Sequence, residues 1–168
     1  MPTTARTHFS GLRHEHRPTT VTAMRALGLD LGTKTIGLAV SDELGITAQG
    51  INTIERRGPR KDVEALALRV AEYSVDRFVI GLPLNMDGSE GPRAEATRAF
   101  GTKLSEETKL PVIYWDERLT TVAAHRALLE GDVSRKKRKE VVDQLSAVLI
   151  LQGWMDAQKS AAGNTDDE

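Results

Sequence analysis

The chain contains no cysteine, so a disulfide, a thiolate metal site and a thiol nucleophile are all closed to it, an economy that suits a reducing cytoplasm. Its apolar runs are a few residues long, far short of the roughly 20 residues a membrane-spanning helix needs. Aromatics are scarce: three Phe, two Tyr and two Trp, with no ladder among them, leave base stacking a minor source of affinity and argue against sequence-specific readout. Net charge is nearly absent as well. With 23 Lys and Arg against 24 Asp and Glu, the chain carries −1 and has no general attraction to polyanions; any such attraction must come from local patches. What is present is 168 residues, a length suited to one domain with a substantial core.

Both ends read as additions to that domain. The opening stretch, residues 1–24, is polar, has no hydrophobic periodicity and lacks the apolar segment of a secretory signal, and it is expected to be a disordered arm or an artefact of a misplaced start, with Met24 as the natural beginning. His14 and His16 in "HEH" belong to that arm and are expected to be solvated rather than metal-bound. The acidic stretch 159–168 is expected to be a mobile tail. Between them, residues 25–158 form the expected domain.

Within the domain, Leu27–Leu31, Ile36–Ser41 and Ile46–Ile54 read as three strands joined by connections short enough for hairpins. From Pro59 the period becomes helical, with Val63, Leu66, Val70 and Tyr73 on one side. "DRFVIGLP" reads as a buried strand, Pro92 opens a helix running to about Thr108, and "PVIYWDE" is another strand. Thr120 or Thr121 caps a helix "VAAHRALLEG" that Gly131 ends, and a last helix spans about Lys139 to Ala157. The order βββαβαβαα predicts an α/β fold: a mixed sheet of three antiparallel strands followed by parallel ones, with helices on both faces, which is the order of the ribonuclease H-like fold.

Some acids stand where such a fold should be apolar. Asp30 interrupts an apolar strand, Asp116 and Glu117 end another, and Asp143 lies on a helix face with Ala147, Ile150 and Trp154. Burying a carboxylate alone costs several kcal/mol. Each acid has an ordinary reading: Asp30 as a turn residue beside Gly32, Asp116 or Glu117 at a helix start (the better reading for Asp116), and Asp143 paired with Lys139 four residues away. Acids from three elements directed at one sheet are better explained together, as a site whose mutual repulsion divalent cations relieve.

The stretches "LGLDLGTKTIGLAVSD", "VIGLPLNMDGSEGP", "WDERLTT" and "VVDQLSAVLILQGWM", in this order, resemble the YqgF/RuvX family of small ribonuclease H-like nucleases over about Arg25 to Ala157. The resemblance implies a nuclease that matures the 5′ end of precursor 16S ribosomal RNA, with resolution of four-way DNA junctions as the alternative, and a homodimer as a common state. It also implies Asp30, Glu117 and Asp143 as catalytic acids and metal ligands. Ser146 departs from the alanine more usual in the family.

Acids alone can serve phosphodiester hydrolysis, because two Mg²⁺ ions held about 3.5–4 Å apart activate water, polarise the phosphoryl group and stabilise the departing oxygen. Mg²⁺ takes oxygen ligands, and Mn²⁺ is a plausible substitute. No histidine is required, and His125 is expected to be solvated. For the partner, structured RNA or branched DNA, the basic run Arg135, Lys136, Lys137, Arg138 and Lys139 just before Asp143 is the first candidate for phosphate contact. Lys34 and Arg118 are further candidates, as are Asn85 and Gly88 in the strand-to-helix loop "GLPLNMDGSEG". Two rival readings remain at this level. "LDLGTKTIGLAV" is similar to the phosphate hairpin of actin-like ATPases and sugar kinases, although this chain has room for one such domain and no second phosphate loop. A silent RNA-binding module is the other.

Overall fold

The computed structural model describes residues 25–120 and 135–163, with the side chains of 135–141 outside the description. Strict alternation builds the central strand β1 (Arg25–Leu31): Leu27 and Leu29 point to one face, Ala26, Gly28 and Asp30 to the other. β2 (Thr35–Ser41) and β3 (Ala48–Glu55) follow antiparallel, completing the meander. Helix α1 (Pro59–Tyr73) leads to β4 (Val75–Leu82), helix α2 (Pro92–Thr108) to β5 (Val112–Asp116), and a 3-10 turn (Glu117–Leu119) follows at once. The last helix, α3 (Arg135–Gly163), crosses the sheet. β4 lies parallel to both β1 and β5, so the strand order is β3-β2-β1-β4-β5. The expected mixed sheet is thus borne out.

Each face of the sheet has its own core. Leu27, Leu29, Ile36, Leu38, Phe78 and Ile80 meet Val63, Leu66, Phe100 and Leu104 of α1 and α2; each such large side chain, fully buried, contributes about 1.5–3 kcal/mol. On the opposite face the sheet offers small residues, Ala26, Gly28, Gly37, Ala39, Gly50 and Gly81, and Ala147, Ile150, Leu151 and Met155 of α3 pack down onto them. A methyl group on Gly28 would stand 2.7 Å from Leu151 Cβ, which measures how closely the helix approaches. Among the described residues no helix is long and apolar enough to cross a membrane.

The last helix starts at Arg135, about four residues before the expected Lys139, and two further boundaries differ for side-chain reasons. β3 starts at Ala48 rather than Ile46 because the Asp42 carboxylate accepts the Ile46 and Thr47 N–H groups, at 2.6 and 3.2 Å, making a local turn of what reads as strand. α3 continues to Gly163, so residues 159–163, expected to be tail, are helical. Contacts distant in sequence hold that end: Gln152 Nε2 and Lys159 Nζ both donate to the Ile46 carbonyl, at 2.9 and 3.3 Å. The helix expected over "VAAHRALLEG", His125 within it, the arm 1–24 with its histidines, and residues 164–168 lie outside the described residues.

Candidate active site

The turn after β1 closes through the Gly32 N–H on the Thr35 carbonyl at 2.9 Å, and this sets Asp30 directly opposite Gly37 on β2. Opposed residues of an antiparallel pair present the same face, and Gly37 presents the face under α3: a Cβ there would lie 2.1 Å from the Asp143 carbonyl oxygen. Asp30 therefore faces α3, at the level where Asp143 crosses. Both acids are buried, 3% and 8% exposed. Thr35, two residues before Gly37 on the same face, donates its hydroxyl to Asp143 Oδ2. Asp143 is therefore a buried, inward-facing acid; the Lys139 side chain, its alternative partner, lies outside the described residues.

The third acid arrives from the other side of β1. The register that sets Leu29 beside Ile80 sets Asp30 beside Gly81 one residue further on, and a Cβ on Gly81 would meet Glu117 Oε1 at 2.8 Å and Ile150 Cδ1 at 2.5 Å. Glu117 thus lies over Gly81, on the α3 face. Asp30 is flanked in the sheet by two glycines, one beneath Asp143 and one beneath Glu117, and at a strand spacing of about 4.8 Å the three acids span two neighbouring strand gaps. Acids from three elements thus reach the α3 face of the sheet. As the side chains are placed, no three carboxylate or imidazole groups among the described residues are gathered tightly enough to hold an ion. The donor chemistry fits a hard divalent cation, since the acids offer oxygen only, and the two absent Cβ atoms provide the room in which Asp143 and Glu117 sit.

Asp116 does different work. It caps the 3-10 turn by accepting the Arg118 N–H at 2.9 Å, and it binds the Arg118 guanidinium, with Nη2 at 2.7 Å. That guanidinium holds the Asp116 carboxyl below the usual carboxylate range. The ordinary reading of Asp116 as a cap is the one the structure bears out.

Two candidate phosphate contacts are already engaged within the protein. Arg118, a candidate for phosphate contact, binds Asp116 and donates to the Met86 carbonyl at 3.3 Å, so it ties the end of β5 to the loop after β4. The Gly88 N–H, expected to receive a phosphate oxygen, donates to the Asn85 carbonyl at 2.9 Å, and Asn85 Nδ2 donates to Ser89 Oγ. Lys34 is exposed, and its side chain has no described partner. The five cations of residues 135–139 open α3, with their side chains outside the description. Thr35, Gly37 and Gly81 were not singled out by the sequence pattern, because what makes each matter is a residue of another element.

A family model described as "RuvX: Holliday junction resolvase" matches residues 24–157. A protein of Myxococcus xanthus named "Putative pre-16S rRNA nuclease" is 60% identical over 136 residues, 81% of this chain and 90% of the relative. One of the same name from Geobacillus kaustophilus is 56% identical over 138 residues, 81% of this chain and all of the relative. Among solved structures, T. thermophilus RuvC in complex with a Holliday junction substrate aligns at a TM-score of 0.53 and 12% identity, over 82% of this chain and 96% of that one, a likeness of fold.

Proposed function

The chain belongs to the RuvX family of Holliday junction resolvases, and from that premise we propose that it is a cytoplasmic, divalent-metal-dependent nuclease of structured nucleic acid. Precursor 16S ribosomal RNA is the favoured substrate, the one carried in the name of relatives sharing 60% and 56% of their aligned residues, and its 5′ end is the favoured place of cleavage. The observation that carries the reading is the placement of Asp30 between Gly37 and Gly81, with Asp143 over one glycine and Glu117 over the other.

In this reading Asp30, Glu117 and Asp143 hold Mg²⁺, with Mn²⁺ as a substitute. Bound divalent cations supply an electrophile for the phosphoryl oxygens, an acidified water and charge for the departing oxygen. The protein supplies the rest. Asp30 is fixed by the hydrogen-bonding of a central strand, and its position cannot drift without the sheet. Thr35 orients the Asp143 carboxylate through one oxygen. The Asp116–Arg118 pair sets the 3-10 turn from which Glu117 projects. The basic run begins eight residues before Asp143 on the same helix, about 6–12 Å away along its axis, where it can neutralise phosphates flanking the cut.

Cleavage of four-way DNA junctions is the second reading, favoured by the description of the family itself. It asks for two copies acting on opposed strands, so it predicts a homodimer on the junction. Side-by-side cleavage of a precursor 16S ribosomal RNA fragment and a four-way junction, each with Mg²⁺ or Mn²⁺, separates the two. Preferential RNA cleavage supports the first reading, junction-only cleavage supports the second, and cleavage of neither contradicts both.

A further inference from the structure

On the rim of the sheet away from α3, a cleft of about 190 Å³ opens beside the turn that follows Asp30, lined by Leu31, Gly32, Thr33, Arg56, Arg93 and Phe100 among others. Arg56 is built into its wall. The side chain is 26% exposed, its Nε donates to Asp62 at 3.2 Å, one Nη1 N–H donates to the Gly32 carbonyl at 2.9 Å, and its guanidinium lies 5.7 Å from the centre of the Phe100 ring. The Asp62 carboxylate, 1% exposed, also accepts the Arg57 N–H at 2.8 Å, so this ion pair is fixed on both sides. Those contacts leave the Nη2 edge of Arg56 without a partner among the described residues.

The charge of the cleft is not balanced. Asp62 offsets Arg56, while Arg93, exposed in the first turn of α2, has no acidic partner among the described residues. The cleft thus carries one uncompensated positive charge, with the Thr33 hydroxyl as a further donor and Leu31 and Phe100 as apolar walls. Reduced solvent access on that side strengthens attraction to an anion. One positive charge, a fixed guanidinium edge and a hydroxyl suit a singly charged, oxygen-rich group.

We propose that this cleft is a second phosphate subsite, which holds one phosphodiester of the substrate strand. The inference rests on the nuclease reading given above. The strand then crosses the carboxyl edge of the sheet, from the α3 side with its basic run, past the acids, to the opposite rim at Arg93. The cleft reads backbone, not sequence, so its effect is the same on any sequence.

The test uses the full chain silenced by Asp143→Asn, with binding to a four-way DNA junction and to a precursor 16S ribosomal RNA fragment followed across a salt titration. Adding Arg93→Gln is expected to weaken both by about tenfold, the worth of one charge-assisted contact, and to reduce the log–log salt slope by about 0.7–0.9. Lys109→Gln removes the same charge at the far end of α2, about 24 Å away along the helix, and is expected to change neither. Thr33→Val is expected to weaken binding with the slope unchanged. Oligonucleotides with a 5′-phosphate or a 5′-hydroxyl distinguish the source: equal binding supports an internal phosphodiester, whereas a 5′-phosphate preference lost in Arg93→Gln overturns that and assigns the cleft a terminal phosphate. An Arg93→Gln slope and affinity equal to those of the parent, with wild-type cleavage intact, overturns the subsite alone. Absence of both binding and wild-type cleavage overturns the subsite together with the nuclease reading.

Discussion

Gly37→Ala should damage the protein far more than adding one methyl group suggests, and the reason is what that methyl would touch. Its nearest neighbour would be the Asp143 carbonyl oxygen at 2.1 Å, followed by the Asp143 carbonyl carbon at 2.6 Å. Both are backbone atoms of α3 and cannot rotate aside, unlike the end of a side chain. Restoring a normal carbon–oxygen separation of about 3.4 Å requires the helix or β2 to move by more than about 1 Å, and a gap of 0.5–1 Å already forfeits roughly a quarter to a half of each dispersion contact. The contacts at risk are those of Ala147, Ile150 and Leu151, all fully buried against the sheet. Overpacking of this kind costs about 1–3 kcal/mol and occasionally more; with a backbone obstacle, about 3 kcal/mol is expected. For a chain of 168 residues that is a fall in Tm of about 6–12 °C. Thermal and urea melts followed by circular dichroism measure it. A Gly37→Ala protein within about 0.5 kcal/mol of wild type would refute the close seating of α3 on β2, and with it the placement of Asp143 beside Asp30.

Gly81→Ala provides the contrast: its methyl would meet Ile150 Cδ1 and Glu117 Oε1, both movable side-chain ends, so melts should show a loss of about 1 kcal/mol while cleavage assays show a large loss as Glu117 is displaced. For pH, the Arg118 guanidinium lowers the Asp116 pKa in the folded state, so the stabilisation is complete above the unfolded value of about 3.9 and is lost as pH falls through the folded value. Tm measured against pH should therefore separate wild type from Arg118→Gln at neutral pH and narrow the gap as pH falls below about 4, leaving the part that Arg118 contributes through the Met86 carbonyl; a gap that does not narrow in acid would show that the Asp116 pair does not stabilise the fold. Replacing Lys136, Lys137 and Arg138 with Ala should reduce the log–log salt slope of nucleic-acid binding by up to about three phosphates' worth, at 0.7–0.9 each, with most turnover kept at saturating substrate.

The strands and helices readable from the sequence are those whose pattern is local. Leu27 and Leu29 alternating with Gly28 and Asp30, or Val63, Leu66 and Val70 at helical spacing, announce their elements without reference to the rest of the chain. Boundaries set by distant partners were not readable: the Asp42 carboxylate converts Ile46 and Thr47 from strand to turn, and the Ile46 carbonyl in turn anchors the end of α3 more than 100 residues later. The site divides in the same way. Acids in apolar surroundings stand out by type, so Asp30, Glu117 and Asp143 were visible as candidates. Gly37 and Gly81 were not, because what forbids their side chains is the backbone or carboxylate of another element. The internal partners of Arg118 and Gly88 were not readable for a related reason: a free cation and a free N–H look the same in sequence as engaged ones.

The central claim is that Asp30, Glu117 and Asp143 act together on a phosphodiester, and the most direct measurement is single-turnover cleavage of the preferred substrate by wild type, Asp30→Asn, Glu117→Gln and Asp143→Asn, with Mg²⁺ and with chelator. The account predicts cleavage by wild type with Mg²⁺, none with chelator, and a loss of several orders of magnitude in each variant despite wild-type circular dichroism and retained substrate binding. A folded variant of any of the three that cleaves at near the wild-type rate would contradict it.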